Sequence, residues 1–200
     1  MTDPIKIFYS KSSELRQTLE GIPDQIVTIR DGKERMAKGY LERAGHCLIA
    51  TGADTRSSRL SAVYSDTPTL GVSFCPIVTK DKEEAKALTV WLNSVLTWLM
   101  LLNLRSGVKL TFPNWSHTML RQIRLPDPDQ CDLTPLLTCF EAIKHDVVGR
   151  LDSYLECPVR EMIDQAAAEV AGISWSDVKE WRDVLAKEPT IARNIPGNSQ

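Results

Sequence analysis

The stretch Ala87–Asp127 reads ALTVWLNSVLTWLMLLNLRSGVKLTFPNWSHTMLRQIRLPD, and its reading decides the fold. Ala87 to Leu104 runs for 18 residues without a charge. Within it Thr89, Asn93 and Thr97 recur every four residues, which gathers them into one polar stripe on a helix, and Lys86 prolongs the stripe backwards. This pattern predicts one long core helix with a single wet or contacting edge. Its length is also the shortest that spans a bilayer, but the polar stripe argues against insertion. Asp81-Lys82-Glu83-Glu84 opens the helix with acids at the end where the peptide dipoles favour them. Gly107, in the basic loop Arg105-Ser106-Gly107-Val108-Lys109, lies just past its end, as a C-cap requires. Val108 to Phe112 reads as a strand. Asn114 or Ser116 can cap a short helix reaching Gln122. Ile123 to Leu125 is short and extended, closed by Pro126-Asp127-Pro128.

Upstream the pattern is that of strands. Lys6–Tyr9, Gln25–Arg30, Cys47–Thr51, Leu60–Tyr64 and Leu70–Phe74 are short, apolar or alternating, with Asp31-Gly32 as a turn and Pro76 marking a sheet edge. Lys33–Tyr40 reads as a short helix or a loop. Downstream, Leu133 to Tyr154 predicts one amphipathic helix, with Leu136, Leu137, Phe140, Ile143, Val147, Leu151 and Leu155 at helical spacing. Pro158 to Ala171 predicts another, stopped by Gly172. Ser174-Trp175-Ser176-Asp177 resembles a capping box and opens a last helix, to Ala186. The expected fold is α+β: a mixed sheet with a long buried helix, then a helical C-terminal extension. The expected domain limits are 1–130 for the α/β body, 131–190 for the helical extension and 191–200 for a polar tail.

A chain of 200 residues with 42% hydrophobic and 25% charged residues can bury a core without disulfides. Five scattered cysteines and no Cys-x-x-Cys fit reduced thiols and a cytoplasmic setting. The N-terminus has no basic start followed by an apolar run, so no secretory signal is expected. The net charge of −2 argues mildly against nucleic acid. Its distribution argues the other way. Ala85 to Pro126 contains no acid and five bases, Lys86, Arg105, Lys109, Arg121 and Arg124. Asp127 to Glu188 contains 14 acids and 6 bases. A basic middle is therefore followed by an acidic helical part.

Several kinds of chemistry lack their residues. There is no Gly-x-x-x-x-Gly-Lys, no Gly-x-Gly-x-x-Gly and no Gly-x-Ser-x-Gly. His46, His117 and His145 stand apart, without metal-ligand spacing. Asp24 with Glu84-Ala85-Lys86 has the composition of a metal-dependent nuclease site, in which two acids hold a metal and a lysine assists water. Residues two apart at a helix start point to different faces, which weakens that reading.

The order of segments resembles the C-terminal target-recognition region of adenine-specific (N6) DNA methyltransferases and of type I restriction specificity subunits. The segments are Thr55-Arg56-Ser57-Ser58-Arg59-Leu60-Ser61-Ala62-Val63-Tyr64, Thr69-Leu70-Gly71-Val72-Ser73-Phe74-Cys75-Pro76-Ile77, Ala87–Asp127, and Trp181-Arg182-Asp183-Val184-Leu185-Ala186-Lys187-Glu188-Pro189. The family's catalytic Asn/Asp-Pro-Pro-Tyr/Phe and glycine-rich cofactor loop are absent. The resemblance therefore implies a non-catalytic DNA-recognition module of a restriction–modification or phage-defence system, with no cofactor and no metal. It implies double-stranded DNA as a partner, and a separate DNA methyltransferase subunit held through the helical tail. DNA reading needs cations for phosphates and polar groups for bases. Arg56, Arg59, Arg105, Lys109, Arg121 and Arg124 are the candidate cations. Ser57, Ser58, Asn114 and Trp115 are the candidates for bases or sugars. Asn93 and Ser94 read as packing or capping residues, Trp91 and Trp98 as core. The alternatives are a protein-interaction scaffold without DNA affinity, and the nuclease.

Overall fold

The computed structural model describes residues 5–9, 16–55, 57–104 and 113–192. Five strands form a mixed sheet in the order β2-β1-β4-β3-β5. They are β1 (Ile5–Phe8), β2 (Gln25–Val27), β3 (Gly45–Ala50), β4 (Ala62–Gly71) and β5 (Phe74–Ile77). β1 runs parallel to β4; the other pairings are antiparallel. Pro76 sits in β5, at the edge of the sheet, where its missing N–H costs no ladder bond.

Alternation along the strands separates two cores. Cys47 and Ile49 of β3 and Ala62 and Tyr64 of β4 join the helices in the main core. Leu48, Ala50 and Val63 turn the other way and meet Phe8 and Phe74 in a smaller cluster.

The helices are α1 (Glu34–Leu41), α2 (Lys82–Asn93), α3 (Val95–Asn103), α4 (His117–Leu120), α5 (Thr134–Ile143), α6 (Pro158–Ala171) and α7 (Trp175–Ala186). Two expected helices are shorter than their apolar patterns. The long central helix breaks at Ser94, whose ψ of 162° is extended, and α2 and α3 diverge by 65°. The Trp91 carbonyl there accepts bonds from Ser94 Oγ at 2.7 Å and Thr97 Oγ1 at 2.9 Å. The polar stripe is not wet. Thr89, Asn93 and Thr97 are fully buried. The Asn93 amide donates to the Thr89 and Ala62 carbonyls, and its oxygen accepts from Ser61 N at 2.9 Å. Asn93 thus fastens the break to the start of β4, a structural role in keeping with its sequence reading.

The helix expected from Leu133 to Tyr154 ends at Ile143. A 3-10 helix, Leu151–Glu156, replaces its second half, and Val147 and Leu155 are exposed. Pro158 begins α6 and Gly172, with φ of 64°, ends it in the left-handed conformation that glycine adopts without strain. The Ser174 side chain accepts from Asp177 N and caps α7.

The helical part does not stand away from the sheet. Leu136, Phe140, Ile143, Val178 and Leu185 are buried in the same core as Tyr64, Leu92 and Trp98. Lys86 of α2 bridges Glu83 and Glu141 of α5, both at 2.9 Å. Hydrogen bonds from Lys144 and Lys86 pull the Glu141 carboxyl down to about 2. Deeper, Asp164 of α6 accepts from Val95 N at 2.7 Å, Tyr154 Oη at 2.9 Å and Arg182 Nη1 at 2.6 Å. This one carboxylate joins the first turn of α3 to α6, α7 and the 3-10 helix. No single helix among the described residues is long and apolar enough to cross a membrane.

Candidate nucleic-acid interface

The segment after α3 re-enters the described chain at Pro113 and lies beside Thr51-Gly52-Ala53. Ala53 N donates to the Pro113 carbonyl at 3.1 Å, and Trp115 N to the Thr51 carbonyl at 2.9 Å. The approach is close enough to demand glycine. A Cβ on Gly52 would collide with the Asn114 side-chain oxygen and lie 2.9 Å from the Pro113 carbonyl. Two indoles then pin the segment from inside. Trp115 Nε1 donates to the Leu101 carbonyl at 2.8 Å, at the end of α3. Trp91 Nε1 donates to the Arg124 carbonyl at 3.0 Å. Between these anchors Ser116 caps α4 and Ile123 is buried.

With the backbone held at both ends, the outward side chains are Asn114, Ser116, His117, Thr118, Arg121, Gln122 and Arg124, all exposed. None is acidic. Amides, hydroxyls and guanidinium groups on a fixed backbone are the chemistry that positions on phosphates and reads base edges. Arg121 also lines a hollow of about 350 Å³ between β5 and α4. Cys75 lies in it, with its sulfur 3.4 Å from His117 Nδ1. Burial pushes the Cys75 thiol up, opposed by the charge of Arg121. A thiol held neutral is a poor nucleophile.

The sequence candidates divide into three groups. Asn114, Arg121 and Arg124 share this exposed segment. Trp115 does not join them outward. It is 3% exposed with its N–H bonded to Leu101, so it anchors the segment and does not reach bases. Ser57, Ser58 and Arg59 have inward partners. Ser57 Oγ donates to Asp54 at 2.6 Å, and Ser58 Oγ accepts from Asp54 N at 3.0 Å. Arg59 Nη1 donates to the Val148 carbonyl at 2.8 Å, and the Arg59 carbonyl accepts from Arg160. Ser57 and Ser58 thus bond within their own loop to Asp54, and Arg59 ties that loop to the segment leading into α6. Arg56, Arg105 and Lys109 lie outside the described residues.

The nuclease residues are dispersed. Asp24 pairs with Arg16 at 3.0 Å and lines one hollow; Glu84 accepts from Lys80 N and lines another. Lys86 is held by two glutamates. Among the described residues no three His, Cys, Asp or Glu side chains gather as a metal site would need.

Sequence reasoning missed the buried cluster around Asp164. Arg160 lies over the Tyr154 ring at 4.5 Å, and its guanidinium donates to the Gly149 and Arg59 carbonyls. The available signal was the i, i+4 pair Arg160–Asp164 inside the same helix stripe as Ile163 and Ala167.

No family model matches the chain, and no curated protein does. Among solved structures, the fold is similar to part of the type IIG restriction endonuclease BpuSI, with a TM-score of 0.55 and 17% sequence identity. The likeness covers 80% of this chain and 18% of that one. At that identity it is a likeness of fold.

Proposed function

We propose that this chain is a non-catalytic DNA-recognition module of a restriction–modification or phage-defence methyltransferase system. It acts with a separate DNA methyltransferase subunit that carries the catalytic motifs. The observation that carries the reading is the pinned, acid-free, exposed segment from Asn114 to Arg124. The likeness of fold to part of a restriction endonuclease supports it. So does the resemblance of its segment order to methyltransferase recognition regions.

In this reading Arg121 and Arg124 contact phosphates, while Asn114 and Gln122 face base edges or sugars. Arg105 and Lys109, which the sequence places just before the segment, add phosphate contacts. The overall acidity does not oppose this, because phosphate attraction depends on local charge within about 10 Å at ordinary salt. The test is a fluorescence-anisotropy titration against mixed-sequence duplex DNA at several salt concentrations. The slope of log affinity against log salt should flatten by about 0.9 for each phosphate contact removed. An Arg121→Ala/Arg124→Ala variant that keeps the wild-type slope would remove the segment from the interface.

A further inference from the structure

At the far edge of the sheet, β1, β2 and α1 leave a groove of about 300 Å³. Its floor is Ile5, Ile7 and Leu70. One wall is a stripe of α1, Ala37 and Tyr40, following Lys33 at i+4 and i+7. Among the described residues the charged ones at its margin are Arg30 and Lys33, and no acid lines it. The apolar surface continues outside the groove. Tyr40 is 55% exposed, with the exposed Leu41 beside it on α1, and Val27 on β2 is exposed on the same face as Ile5. Among the described residues β2 pairs only with β1 in the sheet, so it also offers an edge to an added strand.

We propose that this groove docks a segment of a partner protein in which apolar side chains alternate with carboxylates. Charge complementarity selects the acids. From Arg30 to Arg43 the chain holds five bases, Arg30, Lys33, Arg35, Lys38 and Arg43, against three acids. The apolar extent and the strand edge select a polypeptide, because Leu41 and the outer edge of β2 lie beyond what a molecule filling the hollow would cover. The occupant is not the acidic part of a second copy. There the apolar stripes, Leu136, Phe140, Ile143, Val178 and Leu185, are already buried in their own core. The inference stands apart from the DNA reading, since it uses the opposite edge of the sheet.

The test uses the full chain and three fluorescein-labelled octapeptides: Glu-Leu-Glu-Val repeated twice, the same with Lys for Glu, and the same with Ser for Leu and Val. The acidic apolar peptide should bind at least tenfold tighter than the other two. Tyr40→Asp, and separately Arg30→Glu/Lys33→Glu, should weaken it at least tenfold with the circular dichroism and melting temperature unchanged. Equal binding of all three peptides, no binding, or binding indifferent to both variants would overturn the proposal. Wild-type self-association in sedimentation velocity that Tyr40→Asp abolishes would also overturn it, by giving the face to a second copy. Tyr40→Asp should keep wild-type DNA affinity, so failure here and failure of the DNA reading are separate results.

Discussion

The two edges of the sheet handle the same charge in opposite ways. At the β5 edge, α4 and its flanks are pinned by Trp91 and Trp115, and the exposed surface is polar and cationic. At the β2 edge the cations Arg30 and Lys33 border an apolar groove. A guanidinium among amides and hydroxyls suits a phosphate chain, whose partner groups are all polar. A cation beside exposed Val27 and Tyr40 suits a carboxylate carried next to apolar side chains. Charge sign alone does not choose a partner; the polarity of the neighbours does.

The sharpest way to break this comparison is to remove the anchor beneath one edge. Trp115→Ala deletes a buried indole and leaves the Leu101 carbonyl without its donor. The expected loss is about 4 kcal/mol in urea denaturation, within the range for buried aromatic truncations. A loss below about 1 kcal/mol would mean that the segment is not pinned as described.

Asp164→Ala comes next. It leaves Arg182 buried beside Tyr154 without its carboxylate, and breaking such a pair costs roughly 3 kcal/mol. The same carboxyl gives a pH prediction. Burial pushes it up to about 6 from an ordinary 3.8, against the pull of Val95 N and Arg182. Over that window the folded protein holds the proton and the unfolded chain has released it. This group's contribution to stability is therefore largest below the unfolded value and falls as the pH rises through the folded one. Wild type should lose more stability than Asp164→Asn when urea midpoints are compared between mildly acid and neutral pH. Equal losses would remove Asp164 as the source.

A smaller effect sharpens the comparison at the DNA edge. Arg121→Ala/Arg124→Ala should leave the fold intact and flatten the salt slope by about 2, as loss of two phosphate contacts predicts. The smallest effect is on the stability of Tyr40→Asp. An exposed substitution should shift it by no more than about 0.5 kcal/mol, so its groove phenotype is a surface effect. A thermal melt shifted well beyond that would show Tyr40 to be part of the core.

Much of the fold was legible where a local signal sufficed. Gly172, Ser174 and Pro158 each mark a helix boundary that local chemistry enforces, and Pro76 falls in the edge strand β5. The break at Ser94 was not legible. Its causes are Asp164, Ser61 and Ala62, which lie far along the chain, and no period in residues 87–104 contains them. For the same reason the stripe of Thr89, Asn93 and Thr97 reads as either wet or contacting, and its partners are internal. The apolar spacing from Leu133 overran Ile143 because Val147 and Leu155 fit the period without being buried. At the candidate site, residue type proposes Arg121, Arg124 and Asn114, which are exposed. It could not tell them from Arg59 and Trp115, whose partners, Val148 and Leu101, are tertiary.

The most direct test of the central claim is the salt dependence of duplex DNA affinity for wild type, Arg121→Ala/Arg124→Ala and Tyr40→Asp, measured side by side. Steep salt dependence is expected in wild type and Tyr40→Asp, and a flatter slope with weaker binding in the double arginine variant. Salt-independent binding, or equal slopes in all three proteins, would contradict that claim.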